Sequence, residues 1–501
     1  LPARVNGTPL NAGASATTAC DGSGAALSLR FDAQGIATAP LSYPDAGEIE
    51  LLMGLSGLSN VTGVAGDVLS GVSLSGAARV IAAPSVLAID GLPAGNIVAG
   101  APFSARVRAL NAVGAVMPNF GRESPAASVS LSHVRAAPTG AGAVDGVFSG
   151  SLGAFSGGIA TASNLSWSEV GRIDLNAALD NYLGSGLDAL GSTGTAGAIG
   201  RFVPRRLALS ATPSCGAWSY AGQPFAVTLQ ALNAAGAITR NYDGSGLTTP
   251  TLAQRVSLID PAGMAGGGYA NASIAASSFR AGIASVSGSG APAYVYTDKL
   301  TAPRTVGLRG TDADGVSSAP VGGVGSEPAL SLRSGRLRLS NAFGNDRQPL
   351  DLALQLEYWS GRSWVPSSDD TCTVLPTAAV ARATPRSHRG GNAGWSAAVQ
   401  SVTLSGGQGR LRLAAPSPRG TGTVDVAINL GNSTSDASCV ARTGVAGSYG
   451  AIGTSTGAGL PWLRSRTGAC SSGFDRDPSA RASFGVYSPE SRLTLQVREV
   501  D

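Results

Sequence analysis

Few residues in this sequence could carry out chemistry. A Ser-His-Asp triad needs an imidazole as general base, and His133 and His388 are the only histidines. His133 lies in an alternating, strand-like segment, and His388 lies in the loop-forming run Pro385-Arg386-Ser387-His388-Arg389-Gly390-Gly391. No G-x-S-x-G elbow with a strand before it and a helix after it accompanies either one. Asp369-Asp370, beside Cys372, could be an acid pair. Adjacent residues on a strand face opposite ways, so a solvated loop is the expected reading. Asp312-Ala313-Asp314-Gly315 has acids at alternate positions before a glycine, as a calcium loop might. No later acid completes the ligand set, and the same residues are ordinary hairpin-turn chemistry. Gly184-Ser185-Gly186 and Asp243-Gly244-Ser245-Gly246 resemble phosphate-cradling fragments but lack the helix that would follow. The expectation is no catalytic residue, no cofactor and no metal.

The five cysteines are Cys20, Cys215, Cys372, Cys439 and Cys470. None forms a C-x-x-C pair, which argues against structural zinc. In an oxidising compartment one disulfide is expected near the C-terminus, using Cys439. Cys470 is its preferred partner and Cys372 the alternative, because spacing does not fix connectivity. A fifth cysteine is then left over or pairs with a part of the protein absent here. Trp167, Trp218, Tyr220, Trp359, Trp364 and Trp462 form the main aromatic mass and are expected to anchor cores. The turn Trp359-Ser360-Gly361-Arg362-Ser363-Trp364 could stack a sugar, but a structural role is favoured.

These residues must be positioned by strands. With 70 glycines and 28 prolines in 501 residues, long helices have little room. The chain is 43% hydrophobic with net charge +4, which sets it apart from disordered sequences. Only 13% of residues are charged, so Ser, Thr, Asn and Gly must cover the surface, as in secreted β-proteins. Lys299 is the single lysine, which excludes a series of Lys–Asn isopeptide cross-links, and the scattered arginines form no stripe for nucleic acid. No run approaches the roughly 18 consecutive apolar residues of a membrane span. No signal-peptide pattern opens the chain and Leu1 is not an initiator methionine, so a processed or truncated product is expected.

Repeats set the organisation. Residues 99–122 and 221–244 align without gaps at an offset of 122, with 11 of 24 positions identical. A second motif recurs as Gly35-Ile36-Ala37-Thr38, Gly158-Ile159-Ala160-Thr161 and Gly282-Ile283-Ala284-Ser285, spaced by 123 and 124. A unit of this length with short alternating runs and many turns reads as an immunoglobulin-like β-sandwich plus linker. The expected domains are 83–203 and 204–328 as full sandwiches and 1–82 as a partial one lacking its first strands. Residues 329–501 follow as a distinct C-terminal β-domain, with alternating runs at 336–339, 352–358, 401–413, 423–430 and 492–500. In the partial sandwich, Ile36, Leu41, Tyr43, Ile49 and Leu51 would need covering by missing upstream sequence or by a strand from another chain.

The C-terminal motifs resemble the MshQ-like proteins linked to the mannose-sensitive haemagglutinin type IV pilus of Gram-negative bacteria. The likeness rests on Gly335-Arg336-Leu337-Arg338-Leu339-Ser340-Asn341-Ala342-Phe343-Gly344, Glu357-Tyr358-Trp359 and Asp369-Asp370-Thr371-Cys372-Thr373. It continues through Leu460-Pro461-Trp462-Leu463, the run from Asp477 to Tyr487, and Arg498-Glu499-Val500, covering roughly residues 204–501. It implies an exported, pilus-associated protein with no catalytic residues to carry over. The expected function is a non-enzymatic stalk and surface-contact module with pilins or other surface subunits as partners. The alternative is a filament or sheath subunit that assembles with copies of itself.

Overall fold

The structure, a computed structural model, describes residues 4–5, 8–9, 32–36, 38, 43–55, 74–194, 197–263, 266–323, 327–441 and 446–485. Cys20, Leu41 and the run expected at 492–500 lie outside the described residues. Among these residues the regular elements are β-strands and single turns of 3-10 helix, so the protein is all-β. No helix among them is long and apolar enough to cross a membrane. The chain divides into two compact units. One comprises Leu1–Arg206, Ala231–Gln254 and Phe279–Ile283, and the other Leu207–Gln230, Arg255–Ser278 and Ala284–Asp501.

In the first unit, the strand Phe103–Leu110 turns Phe103, Ala105, Val107 and Ala109 inward and Ser104 and Arg106 outward. This is the period of two that a half-buried strand requires. It lies between Val86–Asp90 and Ile159–Trp167, with Phe148–Ser149 beyond. The opposing sheet runs Ala189–Ser192, Gly171–Leu179, Ile199–Val203 and Ile97–Val98, and Ser130–Ala137 also pairs with Gly171–Leu179. Ile173, Leu175, Ala177 and Leu179 are buried on its inner side. Between the sheets, Phe202 meets Trp167 edge-on at 5.2 Å and Phe103 at 5.7 Å. The result is a β-sandwich whose interior holds two apolar clusters, one around Phe120 and Phe155 and one around Trp167 and Phe202. The half-buried Ile89, Leu131 and Leu152 pack against both.

The repeat is a structural repeat as well. The Gly158 carbonyl accepts from Ala109 N and the Gly282 carbonyl from Ala231 N, both at 2.9 Å. Their φ values are +77° and +82°, and a Cβ there would lie 2.4 Å from the Met117 carbonyl or 2.5 Å from that of Thr239. Only glycine fits these two positions. Phe120 meets Phe155 edge-on at 4.7 Å, and Tyr242 meets Phe279 in the same way at 5.0 Å. Gly35 also has a left-handed φ of +78°, in the turn closed by Asp32 N on the Ile36 carbonyl.

The strand Gly47–Leu55 pairs antiparallel with Leu74–Ala82, from Gly47 opposite Ala82 to Leu55 opposite Leu74. The strand beside this stretch therefore comes from the same chain. Ile49 is buried against the half-buried Tyr43 and Leu51, and Ile36 is exposed.

In the second unit, the described residues of 335–485 form, besides a two-stranded ladder of Val440–Ala441 with Tyr449–Gly450, two larger sheets. One has Leu350–Trp359 between Gly335–Leu339 and Gln408–Leu413, with Val399–Ser405 at the edge and Trp364–Pro366 paired to Leu350–Trp359. The other runs Ala342–Gly344, Ser479–Phe484, Gly422–Ile428 and Val380–Arg382. The hairpin 399–413 turns at Gly406 and Gly407, with φ of +56° and +70°, as a tight two-residue turn requires. Leu337, Leu352, Leu354, Leu356, Leu411 and Leu413 pack in one core with Val424, Val426, Ala482 and Phe484. Cys215, Trp218 and Tyr220 belong to that same core. Trp218–Tyr220 runs parallel to Ala329–Arg333, which leads through Ser334 into Gly335–Leu339.

Candidate functional site

The structure gives the flagged acids structural work. Asp312 Oδ1 accepts from Asp314 N and Val316 N, both at 2.9 Å, and Gly315 has φ +80°. The same five-residue turn occurs where Asn111 Oδ1 accepts from Val113 N and Ala115 N and where Asn233 Oδ1 accepts from Ala235 N and Ala237 N. Gly114 and Gly236 take the matching left-handed position, with φ of +81° and +83°. The D-x-D-G run is thus a side-chain-closed hairpin turn. Asp369 and Asp370 face different partners: Asp369 pairs with Arg333 at 2.7 Å. Buried Asp370 accepts from the Tyr220 hydroxyl at 2.7 Å, from Cys372 N and Thr373 N, and from the Thr373 hydroxyl. The Arg333 guanidinium holds the Asp369 carboxyl below the usual range.

The remaining candidates are also held separately. His133 stacks on Phe148 at 5.0 Å and its Nε2 lies 3.4 Å from Asp145, and His388 Nε2 lies 3.0 Å from the Phe484 carbonyl. Asp243 accepts from Ser245 N and Ala281 N, and Asn181 Oδ1 accepts from Gly186 N, so both glycine-rich runs are ordinary loops. A surface depression of about 330 Å³ is lined by residues 258–260, 263 and 267–269 and carries one carboxylate, Asp260.

Among the described residues the four cysteines form two disulfides. Cys439 is bonded to Cys470 with Cα atoms 5.8 Å apart, and Cys215 to Cys372 with Cα atoms 5.0 Å apart. Both separations suit the bond. Cys372 is therefore not the partner of Cys439, the alternative left open by spacing. The parallel pairing of Trp218–Tyr220 with Ala329–Arg333 and the Tyr220–Asp370 hydrogen bond bring residue 215 to residue 372 across 157 positions.

A repeated joint is the feature that sequence reading missed. Asn111 Nδ2 donates to the Pro44 carbonyl at 2.9 Å, and Asn233 Nδ2 donates to the Ser168 carbonyl at 3.1 Å. Asp45 Oδ1 accepts from Asn119 N at 3.0 Å, while Glu169 accepts from Arg240 N and Asn241 N, both at 3.0 Å. Asn111 and Asn233, like Asn119 and Asn241, stand 122 apart, the offset of the sequence repeat. One design thus fastens the ends of the first two motif copies to the turns that follow them. Asp45 and Glu169 are both buried. Burial pushes the Glu169 carboxyl up, against the backbone N–H groups of Asn241 and Arg240 that pull it down. A legible trace existed: an acid stands two residues after the aromatic in Tyr43-Pro44-Asp45, Trp167-Ser168-Glu169 and Tyr296-Thr297-Asp298. In the third copy Asp298 caps Leu300 N, and Lys299 beside it donates its amine to the Trp462 carbonyl. Burial pushes that amine down to about 7.

The tryptophans divide by exposure. Trp167 and Trp218 are core residues, as is Trp395, which was not among the aromatics singled out. Trp359 and Trp364 are half-buried cross-strand partners with centroids 5.6 Å apart. Arg336 lies 4.3 Å above Trp364 while paired with Glu357 at 2.6 Å. Arg333 lies between Trp218, at 4.2 Å, and Tyr358, at 4.8 Å. These are packing contacts of the kind that desolvated guanidinium groups make.

The fold and its repeated joints define a tandem immunoglobulin-like protein. Four family models match in order along the chain. They are the first Ig-like domain of DUF6701, a domain of unknown function, over 2–72, the second domain over 93–166, the third over 169–335 and the fourth over 333–500. Together they take in nearly the whole sequence, and the chain belongs to the DUF6701 family. No curated protein matches the sequence. Among solved structures, the chain is similar to the Yersinia pseudotuberculosis adhesin InvE at 10% identity, covering 65% of this chain and 72% of that one, with a TM-score of 0.23. An ICAM-5 D1–D4 ectodomain fragment is 12% identical over 83% of this chain and 84% of that one, with a TM-score of 0.24. Scores this low carry no argument about function.

Proposed function

We propose that the chain is an exported structural and adhesive protein of a Gram-negative cell surface or type IV pilus. It acts as a stalk of immunoglobulin-like modules that presents a C-terminal β-domain. The observation that carries this reading is the joint built twice to one design, at Pro44–Asp45 and at Ser168–Glu169. A spacer needs successive modules held at a set angle, and the buried, hydrogen-bonded carboxylates Asp45 and Glu169 serve that need better than free linkers do. The MshQ-like motifs of the C-terminal half support the pilus assignment, with pilins or other surface subunits as partners. The disulfides fit export through an oxidising periplasm. Modules 1–82, 83–203, 204–328 and 329–501 are part of this reading, as is a non-enzymatic role.

Immunogold microscopy of intact cells, paired with attachment assays on a deletion strain, tests the proposal. The expected result is label on the outer surface or at pilus tips, together with reduced attachment that is restored by the wild-type chain. Label confined to the cell interior, or unchanged attachment, would overturn it. Label repeated along a fibre would replace the stalk with a self-assembling filament.

A further inference from the structure

We propose that the Cys215–Cys372 disulfide is a load bypass. Tension applied along the chain crosses from residue 215 to residue 372 through the sulfur bond, and the segment between them is never drawn out. The bond joins positions 157 apart. The enclosed segment holds Trp218–Tyr220, Val256–Ile259, Arg304–Gly307, Ala329–Arg333, Gly335–Leu339 and most of the hydrogen-bonding partners of Leu350–Trp359. A chain pulled from its two ends therefore lengthens only by the residues outside the loop.

Both ends of the bypass are anchored. Cys215 is buried in the apolar core with Trp218 and Tyr220, and its backbone N donates to the Trp218 carbonyl at 2.8 Å. Beside Cys372, Asp370 fixes the backbone through Cys372 N and Thr373 N, and the Tyr220 hydroxyl ties Asp370 to the strand next to Cys215. Gln223 closes the site, accepting from Tyr220 N at 3.0 Å with its amide nitrogen 3.8 Å from Cys372 Sγ. The covalent link thus joins a buried cysteine, Cys215, to the half-buried Cys372 at the edge of the core. The Cys439–Cys470 bond repeats the device on a smaller scale, across 31 positions. The bypass follows from connectivity alone, whereas its use in resisting detachment rests on the stalk reading.

Single-molecule pulling of the full chain between handles at its two ends tests this. A stretched residue spans at most about 3.3–3.6 Å, so the larger loop withholds roughly 500–570 Å of extension and the smaller one about 100 Å. Oxidised wild-type protein should fall short of the Cys215→Ser/Cys372→Ser variant by the larger length, and adding reductant to wild-type molecules already unfolded should release it. Contour length is read on the extended chain, so the variant need not fold. Equal extension of the oxidised wild type and the variant would overturn the bypass. Attachment of cells is measured separately, so the stalk reading can fail while the bypass stands.

Discussion

The Tyr220 hydroxyl donates to Asp370 Oδ2 at 2.7 Å across 150 residues of chain. Burial pushes the Tyr220 hydroxyl far up, with the Asp370 charge adding to it, so it stays a donor at any working pH. A hydrogen bond to a buried charge contributes about 1.5–3 kcal/mol. Tyr220→Phe should lower stability by that amount, read as a lower urea midpoint with unchanged slope. Tyr220→Ala, which also opens a cavity in the shared core, should lose about 3–5 kcal/mol.

The repeated joint predicts paired effects. Glu169→Ala leaves the Arg240 and Asn241 N–H groups without their acceptor, and Asp45→Ala does the same to Asn119 N. Each should lose about 1–3 kcal/mol locally. Hydrogen exchange should speed up at 240–241 in the first variant and at 119 in the second. Exchange changes confined to the substituted residue itself would show that the contacts hold nothing.

The two disulfides should differ in weight. Loop-closure entropy assigns about 4 kcal/mol to a 31-residue loop and about 5 kcal/mol to a 157-residue one. Cys215→Ser/Cys372→Ser should therefore lower the melting temperature more than Cys439→Ser/Cys470→Ser. Calorimetry of the two double variants decides this.

Acid should act in two stages. Hydrogen bonds from Arg419, Arg412 and Arg333 hold Asp346, Asp351 and Asp369 below the usual carboxylate range. Their contribution is present above the unfolded pKa of about 3.9 and is lost as pH falls through the lower folded values. Glu169 has the opposite sign: burial raises it, so its ionised form weakens the fold, and that penalty fades as pH falls toward about 4.3. Urea midpoints should rise slightly as pH falls toward about 4.3 and then drop as it falls further through the lower folded values of the three aspartates. Glu169→Gln should abolish the early rise and leave the later drop.

Lys299 offers a probe of local opening beside Trp462. Its amine is buried against the Trp462 carbonyl with its pKa pushed down to about 7, so near pH 8 it is mostly neutral. Protonation then gives no protection against an amine-reactive reagent, and burial gives nearly all of it. Labelling of Lys299 should be slow in the folded chain and fast in urea, as followed by peptide mass. Fast labelling of the native protein would mean that the contact with Trp462 opens readily.

Much of this was legible in the residue pattern. Alternation at Val107 and Ala109 and along 336–339 predicted strands with one buried face, and the structure buries Val107, Ala109, Leu337 and Leu339 accordingly. Gly158 and Gly282 stand at equal phase in the repeat because a close backbone approach excludes any side chain there. Period and turn chemistry are local properties, so a single sequence carries them. Even the acid after each aromatic was on view, though nothing local told Asp45 and Glu169, which reach the next turn, from Asp298, which caps its own loop.

Only the tertiary structure decided which distant positions meet. Cys215 finds Cys372 because Trp218–Tyr220 lies parallel to Ala329–Arg333 and its side chains enter the leucine core of the residues that follow. That pairing depends on how two β-layers share one apolar interior, and residue spacing does not encode it. In the same way, Asp370 reads locally as half of an acid pair and becomes, once Tyr220 arrives from 150 residues away, the buried acceptor that holds the joint.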